Sequence, residues 1–211
     1  MLTVATLLWD ANEKSQRFSR AYNEEWVTRL YNGFARNLTL PWRFVLFTDR
    51  PRELNPVIKQ EMLRSKTPGY GDCIEPYRYG VPMILVGLDT VIVGSIDHLA
   101  AYCIEKDTIA LPIDPNDDSR ACNGVALIPA GCQYVYRNWH GENDMEWMRL
   151  QKHAYIDHLF PGQVLSYKCH VRKKYNNSPP PNARIVYFHG DDKPNELTEL
   201  PWIKQHWLNQ I

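Results

Sequence analysis

Residues 83–99, MILVGLDTVIVGSIDHL, constrain the fold more than any other stretch. The run is apolar and β-branched and carries one acid in its middle, Asp89. It reads as a strand buried on both faces, as in a parallel sheet covered by helices. A carboxylate inside such a strand is costly unless it is paired or holds a cation. Asp89 therefore either pins a neighbouring loop or marks a site. Gly94 turns the chain, and Ser95 or Asp97 is placed to cap a helix carrying Leu99.

The flanking sequence supplies the rest of such a sheet. Residues 4–8 read as a strand that ends in the polar loop Trp9, Asp10, Ala11, Asn12. A helix follows over residues 15–37, where Phe18, Tyr22, Trp26, Leu30 and Phe34 recur at every fourth position and form a core stripe. Tyr22, near the helix start, is the aromatic of this set best placed to meet a ligand. Residues 43–48 form a second strand, closed by Asp49, Arg50 and Pro51. Strand, helix and strand at this spacing make a βαβ unit and a parallel pair. Residues 54–63 add an edge strand, and residues 65–80, broken by Pro68, Gly69, Gly71 and Pro76, read as irregular.

Beyond the central run, the pattern predicts a helix at 96–105, a strand at 108–113 and a polar, mobile loop at 114–121. A strand at 123–128 and a helix at 133–139 follow, and GENDMEWM opens a helix reaching Phe160. Strands at 163–167 and 184–189 flank a basic, proline-rich loop at 172–182, and a helix spans 199–210. The expected architecture is a single α/β domain over residues 1–211. It is a Rossmann-like α/β/α sandwich with a mostly parallel central sheet, on which the C-terminal helix packs.

Composition narrows the function classes. With 44% hydrophobic residues the chain buries a sizeable core. Lys plus Arg and Asp plus Glu both count 24, which argues against nucleic acid as a partner. The five cysteines form no CxxC pair, so a zinc site or a disulfide framework is not expected, and reduced thiols in a cytoplasmic protein are. The N-terminus lacks the basic start of a signal peptide, and no apolar run approaches the roughly 18 residues of a membrane span.

Asp10, Asp49, Asp89, Asn123 and Lys193 are expected at the C-terminal ends of predicted strands. Open α/β sheets bind ligands along that edge. A diphosphate there needs cations or amide donors, and a divalent metal needs oxygen ligands. Lys193, close to Gly190, suits a phosphate contact, and Gly124 admits close approach of a ligand or another backbone.

Taken in order, these segments resemble a known family. LVGLDTVIVGSID resembles the YLDxDxxVxGxxD segment of nucleotide-sugar glycosyltransferases with the A-type fold, in the group containing glycogenin and lipopolysaccharide galactosyltransferases. CNGVALI resembles the N[AS]GVxLI strand, GENDMEW the GDQDxxN segment, and IVYFHGDDKP the closing xxHFxGxxKP. The opening VATLLWDAN and FVLFTD is similar as well.

The resemblance implies a glycosyltransferase that moves a sugar from a nucleotide-diphosphate donor, UDP-linked by expectation, to an acceptor hydroxyl. The acceptor would be a carbohydrate, a lipid-linked molecule or a protein, with surface polysaccharide synthesis as one setting. It assigns Glu142, Asn143 and Asp144 to catalysis, and Thr6, Asp10, Tyr22, Asp89, Asn123 and Lys193 to the donor. It also implies a Mn2+ or Mg2+ ion held by two aspartates and a histidine. The sequence departs there: Gly87 stands at the first aspartate and Tyr187 at the histidine. Asp89 remains, and His189, two residues on, is a same-face substitute. The alternative is a donor diphosphate held by Lys193 with Arg172, Lys173 or Lys174. A non-catalytic relative that binds a nucleotide sugar or a protein is the rival reading. A nucleotidyltransferase is disfavoured, because no early glycine-rich loop followed by Arg and Lys is present.

Overall fold

The computed structural model describes residues 1–209, the side chains of Arg17 and Phe18 apart. Its strands run β1 (Leu2–Leu8), β2 (Trp42–Thr48), β3 (Ile58–Met62), β4 (Met83–Val86), β5 (Val91–Ile92) and β6 (Ile109–Leu111). They continue as β7 (Ile113–Asp114), β8 (Asp117–Ala121), β9 (Val125–Ile128), β10 (His153–Tyr155), β11 (Val164–Ser166) and β12 (Ile185–Tyr187). The main sheet has seven strands in the order β10-β6-β9-β4-β1-β2-β3. Every neighbouring pair is parallel except the two that involve β9, which runs against β4 and β6. The sheet is thus mostly parallel, as the βαβ spacing predicts.

The apolar run at residues 83–99 is not one strand. β4 ends at Val86, and a turn closed by the Thr90 amide on the Gly87 carbonyl at 3.2 Å carries the chain out of the main sheet. The run resumes as β5 in a second sheet of order β11-β12-β5. Asp89 therefore sits on a turn at the sheet edge and not inside a strand.

Alternation along the strands builds the two faces. Val4, Phe44, Leu46, Ile84 and Leu127 enter one core, while Ala5, Val45, Phe47, Leu85 and Ala126 enter the other. Each fully buried Leu, Ile or Phe contributes about 1.5–3 kcal/mol, so a strand with both faces buried is held from two sides. Helices α1 (Gln16–Ser19) and α2 (Glu24–Asn37) follow β1. Trp26, Leu30 and Phe34 of α2 fill the first core, joined by Leu99 of α3 (Asp97–Glu105) and by Trp202 and Trp207 of the C-terminal segment. The opposite core is covered by Ile74 and Tyr77 of a 3-10 helix (Tyr70–Tyr79), Val135 of α4 (Gln133–Arg137) and Met148 of α5 (Asp144–Arg149).

Several expectations give way to local chemistry. The predicted helix over 15–37 is interrupted, because Asn23 caps a fresh start: its side chain accepts from the Glu25 amide at 3.1 Å. Of the stripe, Phe18 lies outside the described side chains. Neither Ser95 nor Asp97 caps α3; the Asp97 carboxylate instead accepts from the Thr39 amide and hydroxyl at 2.7 and 2.6 Å. The stretch 65–80 is not irregular but holds the 3-10 helix. The loop at 114–121 is a hairpin, β7 against β8. The helix opened by GENDMEWM stops at Arg149, and β10 intervenes before a short helix at Ile156–Leu159. Helical turns at Tyr167–Val171 and Arg172–Lys174 extend into the predicted basic loop. The C-terminal helix is confined to Pro201–Ile203 and Lys204–Leu208, and Gln210 lies outside the described residues.

Candidate active site

The end of β4 faces the start of β9, since Val86 pairs with Val125. That register sets Gly87, Leu88 and Asp89 against Asn123 and Gly124. Leu88, 4% exposed, anchors the turn in the core and leaves Asp89 displayed beside it. β1 runs alongside, and its last residues Leu7 and Leu8, with Trp9, close the same space. The result is a cavity of about 180 Å3 at the C-terminal edge of the sheet. Pockets that enclose a whole small-molecule ligand are typically about 300–1,000 Å3, so this cavity encloses one part of a larger one.

Two polar pairs border it. In the first, the Tyr22 hydroxyl donates to Asp89 Oδ2 at 2.8 Å, and Lys193 Nζ donates to the same oxygen. The Lys193 and Asp89 side chains are only 10% and 11% exposed. The Lys193 ammonium also lies 5.7 Å from the centre of the Tyr22 ring. Burial and the adjacent Asp89 charge raise the Tyr22 phenol, so it remains a proton donor.

In the second pair, Asn123 Nδ2 donates to Asp144 Oδ2 at 3.0 Å. Burial raises the Asp144 carboxyl above its ordinary value of 3.8, against the lowering effect of the Asn123 hydrogen bond. Asn123 Oδ1 is buried and has no hydrogen-bond partner among the described residues. An unsatisfied buried acceptor costs about 1–3 kcal/mol, a cost that a ligand hydroxyl would relieve. Gly124 lines the cavity and packs closely on a ring: a Cβ there would lie 3.0 Å from Tyr187 Cδ2.

Asp89, Tyr22, Asn123 and Asp144 therefore meet at one cavity, with Lys193 bonded to Asp89. The other residues named from the sequence lie elsewhere. Thr6 is fully buried within β1, and its hydroxyl has no partner among the described residues. Asp10 turns toward β2, where Arg50 Nε donates to it at 2.7 Å and Arg52 Nη2 at 3.0 Å. Asn143 is the α5 N-cap, its oxygen accepting from the Met145 amide at 3.0 Å. Glu142 is exposed and accepts from the His140 amide at 2.8 Å, which lowers its carboxyl. Of the acid–amide–acid cluster, only Asp144 lines the cavity. Trp9, Tyr70, Cys73 and Phe188 line it too and were not singled out from sequence. Tyr70 and Cys73 stand three apart, hence on one face of the 3-10 helix, a signal hidden by the prolines and glycines around them.

The residues do not fit the divalent ion implied by the resemblance. Asp89 Oδ2 is shared by Tyr22 and Lys193, while His189 Nε2 bonds to Ser166 Oγ at 2.8 Å. Tyr187 is 3% exposed and directed toward Cys122, whose Sγ donates to its hydroxyl at 3.7 Å. Among the described residues, no three His, Cys, Asp or Glu side chains are grouped to hold a metal. Of the basic loop, Arg172 is engaged by both oxygens of Asp192, at 2.7 and 3.0 Å. No helix among the described residues is long and apolar enough to cross a membrane.

No protein-family model matches the sequence, and no curated protein matches it. Solved structures do match. The glycosyltransferase GlyE of Streptococcus pneumoniae TIGR4 superposes with a TM-score of 0.59 at 12% identity, over 91% of this chain and 55% of that one. The galactosyltransferase LgtC, in complex with donor and acceptor sugar analogues, matches with a TM-score of 0.55 at 12% identity, over 97% of this chain and 96% of that one. The bifunctional glycosyltransferase WbbM matches with a TM-score of 0.58 at 11% identity, over 97% of this chain and 50% of that one. The chain spans about half the length of GlyE and WbbM. The chain has the A-type glycosyltransferase fold.

Proposed function

We propose that this chain transfers a glycosyl unit from a nucleotide-diphosphate sugar to an acceptor hydroxyl. The observation that carries the reading is the meeting of the Asn123–Asp144 pair and Asp89 at one cavity on the C-terminal sheet edge, with Lys193 bonded to Asp89. The fold shared with GlyE, LgtC and WbbM supports it, although a fold alone does not assign a reaction.

The chemistry follows from the two pairs. The bond from the sugar's anomeric carbon to the diphosphate oxygen breaks, and the diphosphate leaves with the electron pair. A bond from the acceptor oxygen to that carbon forms, and the acceptor proton passes to the Asp144 carboxylate. A carboxyl raised by burial is a better base near neutral pH than an ordinary aspartate. The Asn123 amide holds Asp144 through Nδ2, and Oδ1 accepts a hydroxyl hydrogen of the sugar. The negative end of that amide dipole also favours positive charge developing at the anomeric carbon. The cavity holds one ring of the donor, and the phosphates lie toward Asp89 and Lys193.

Hydrolysis and transfer assays over UDP-, GDP- and CMP-sugars test the reading. Turnover of at least one donor, abolished or deeply cut by Asp144→Asn, is the expected result. The Gly87 and Tyr187 departures favour one rival, a protein that binds a nucleotide sugar without transferring it. Nucleotide binding with no turnover of any donor would establish that rival and overturn the transfer reading.

A further inference from the structure

We infer that Lys193 is the resident cation of this site, and that the donor diphosphate binds there without a divalent metal ion. The inference rests on the transfer reading above and concerns how that site neutralises its ligand.

Charge balance motivates it. Two carboxylates with one divalent ion sum to zero before a donor arrives. One carboxylate with one ammonium sums to zero as well. Relative to the segment it resembles, this chain has glycine in place of one carboxylate, at Gly87, and the lysine of its closing KP segment sits directly on the one that remains. With one carboxylate fewer, the ammonium by itself balances the one that is left. The position is spatially right: a Cβ on Gly87 would lie 3.0 Å from Asp89 Oδ1. A side chain at 87 would thus start beside the Asp89 carboxylate, where the second oxygen ligand of an ion belongs. Glycine leaves that ligand unmade.

The geometry makes Asp89 a positioning residue. Tyr22 and Lys193 both donate to Oδ2, so the carboxylate fixes the ammonium next to the cavity it lines. Anchored on Asp89, the ammonium keeps its positive charge beside the cavity, and that charge is what draws a phosphate oxygen. An unneutralised Asp89 would repel a diphosphate; Lys193 cancels that charge. A second cation stands close by, since a Cβ on Gly190 would lie 3.7 Å from Lys168 Nζ. Burial, and after it both lysine charges, hold the His189 imidazole below its ordinary value, so the segment after β12 has two cations beside it on the side of the site. A buried Asp–Lys pair that merely pins the chain segment after β12 would explain the ion pair. It would not explain why a position whose Cβ would lie 3.0 Å from Asp89 Oδ1 carries glycine and no second carboxylate.

The test is calorimetric titration of UDP into the full chain, in EDTA and in excess Mn2+, with Mn2+ alone followed by electron paramagnetic resonance. The wild-type protein is expected to bind UDP with the same Kd in both conditions and to leave the Mn2+ signal unchanged. Lys193→Ala is expected to weaken UDP in EDTA by roughly tenfold or more, as loss of a charge-assisted contact requires. Gly87→Asp combined with Lys193→Ala is expected to recover UDP affinity in Mn2+ and not in EDTA. Wild-type binding that disappears in EDTA would overturn the inference while leaving the transfer reading intact. No binding of UDP, GDP or CMP in either condition would overturn both. The wild-type arms decide the matter even if Lys193→Ala does not fold.

Discussion

Two acidic clusters lie on the same edge of the sheet, and they are built in opposite ways. At the end of β1 and β2, Asp10, Asp49 and Glu24 surround Arg52, whose side chain is 2% exposed. Arg50 closes the group from outside through Asp10. Donors there match acceptors, and the network holds the loops after the two strands together. At the end of β4, Asp144 is desolvated, Asn123 Oδ1 has no partner among the described residues, and Asp89 and Lys193 pair beside a cavity. The first arrangement satisfies itself. The second leaves capacity that a ligand would take up, which is what separates a binding edge from a structural one.

Substitutions test this contrast most sharply at the cavity. Asp144→Asn should lower turnover by about 10²–10⁴-fold, the usual range for a lost general base, with little change in UDP affinity by calorimetry. A comparable loss of UDP affinity would instead make Asp144 a donor contact. Asp89→Ala leaves a nearly buried ammonium without its carboxylate and should cost about 3–5 kcal/mol in urea unfolding. Gly124→Ala pushes a methyl group against the Tyr187 ring and should cost about 1–3 kcal/mol, read the same way. Asp10→Asn, in the network that includes exposed groups, should cost about 1 kcal/mol or less.

The two clusters should also differ in the sign of their pH dependence. Burial raises the Asp144 carboxyl above 3.8, so the folded chain holds that proton more tightly than the unfolded one. Its contribution to stability is full below the unfolded value and is lost as pH rises through the folded value. The hydrogen bond from Arg50 lowers the Asp10 carboxyl below 3.8. Its contribution is present above the unfolded value and is lost as pH falls through the folded one. Relative to wild type, Asp144→Asn should gain stability with rising pH above about 3.8, and Asp10→Asn should gain it as pH falls below that point. Parallel slopes in urea titrations of the two variants would refute the distinction.

Much of the architecture was legible in the residues. Alternation and β-branching placed β1, β2 and β4, and the βαβ spacing implied their parallel pairing. These features are local, and burial on both faces leaves few other ways to hide such strands. Short-range competition was less legible. Asn23 is a helix cap in sequence as well as in space, but the aromatic stripe of residues 15–37 masked it. The hairpin at β7 and β8 is written in Asp, Ser and Arg, residues that read as loop until cross-strand pairing supports them.

For the site, the sequence marked Asp89, Asn123, Asp144, Lys193 and Tyr22, each beside a strand end or a helix start. Which members of the cluster Glu142, Asn143 and Asp144 meet the cavity was a matter of three-dimensional arrangement. Asn143 spends its oxygen on the first turn of α5, Glu142 bonds its own loop, and Asp144 alone turns inward to Asn123. Likewise, Asp89 and Lys193 stand 104 positions apart in the chain. No local pattern could pair them; the packing of the segment after β12 against the β4 turn did. Periodicity and turn chemistry act between neighbours and determine elements, whereas contacts between charges distant in the chain exist only once the sheet has gathered its ends.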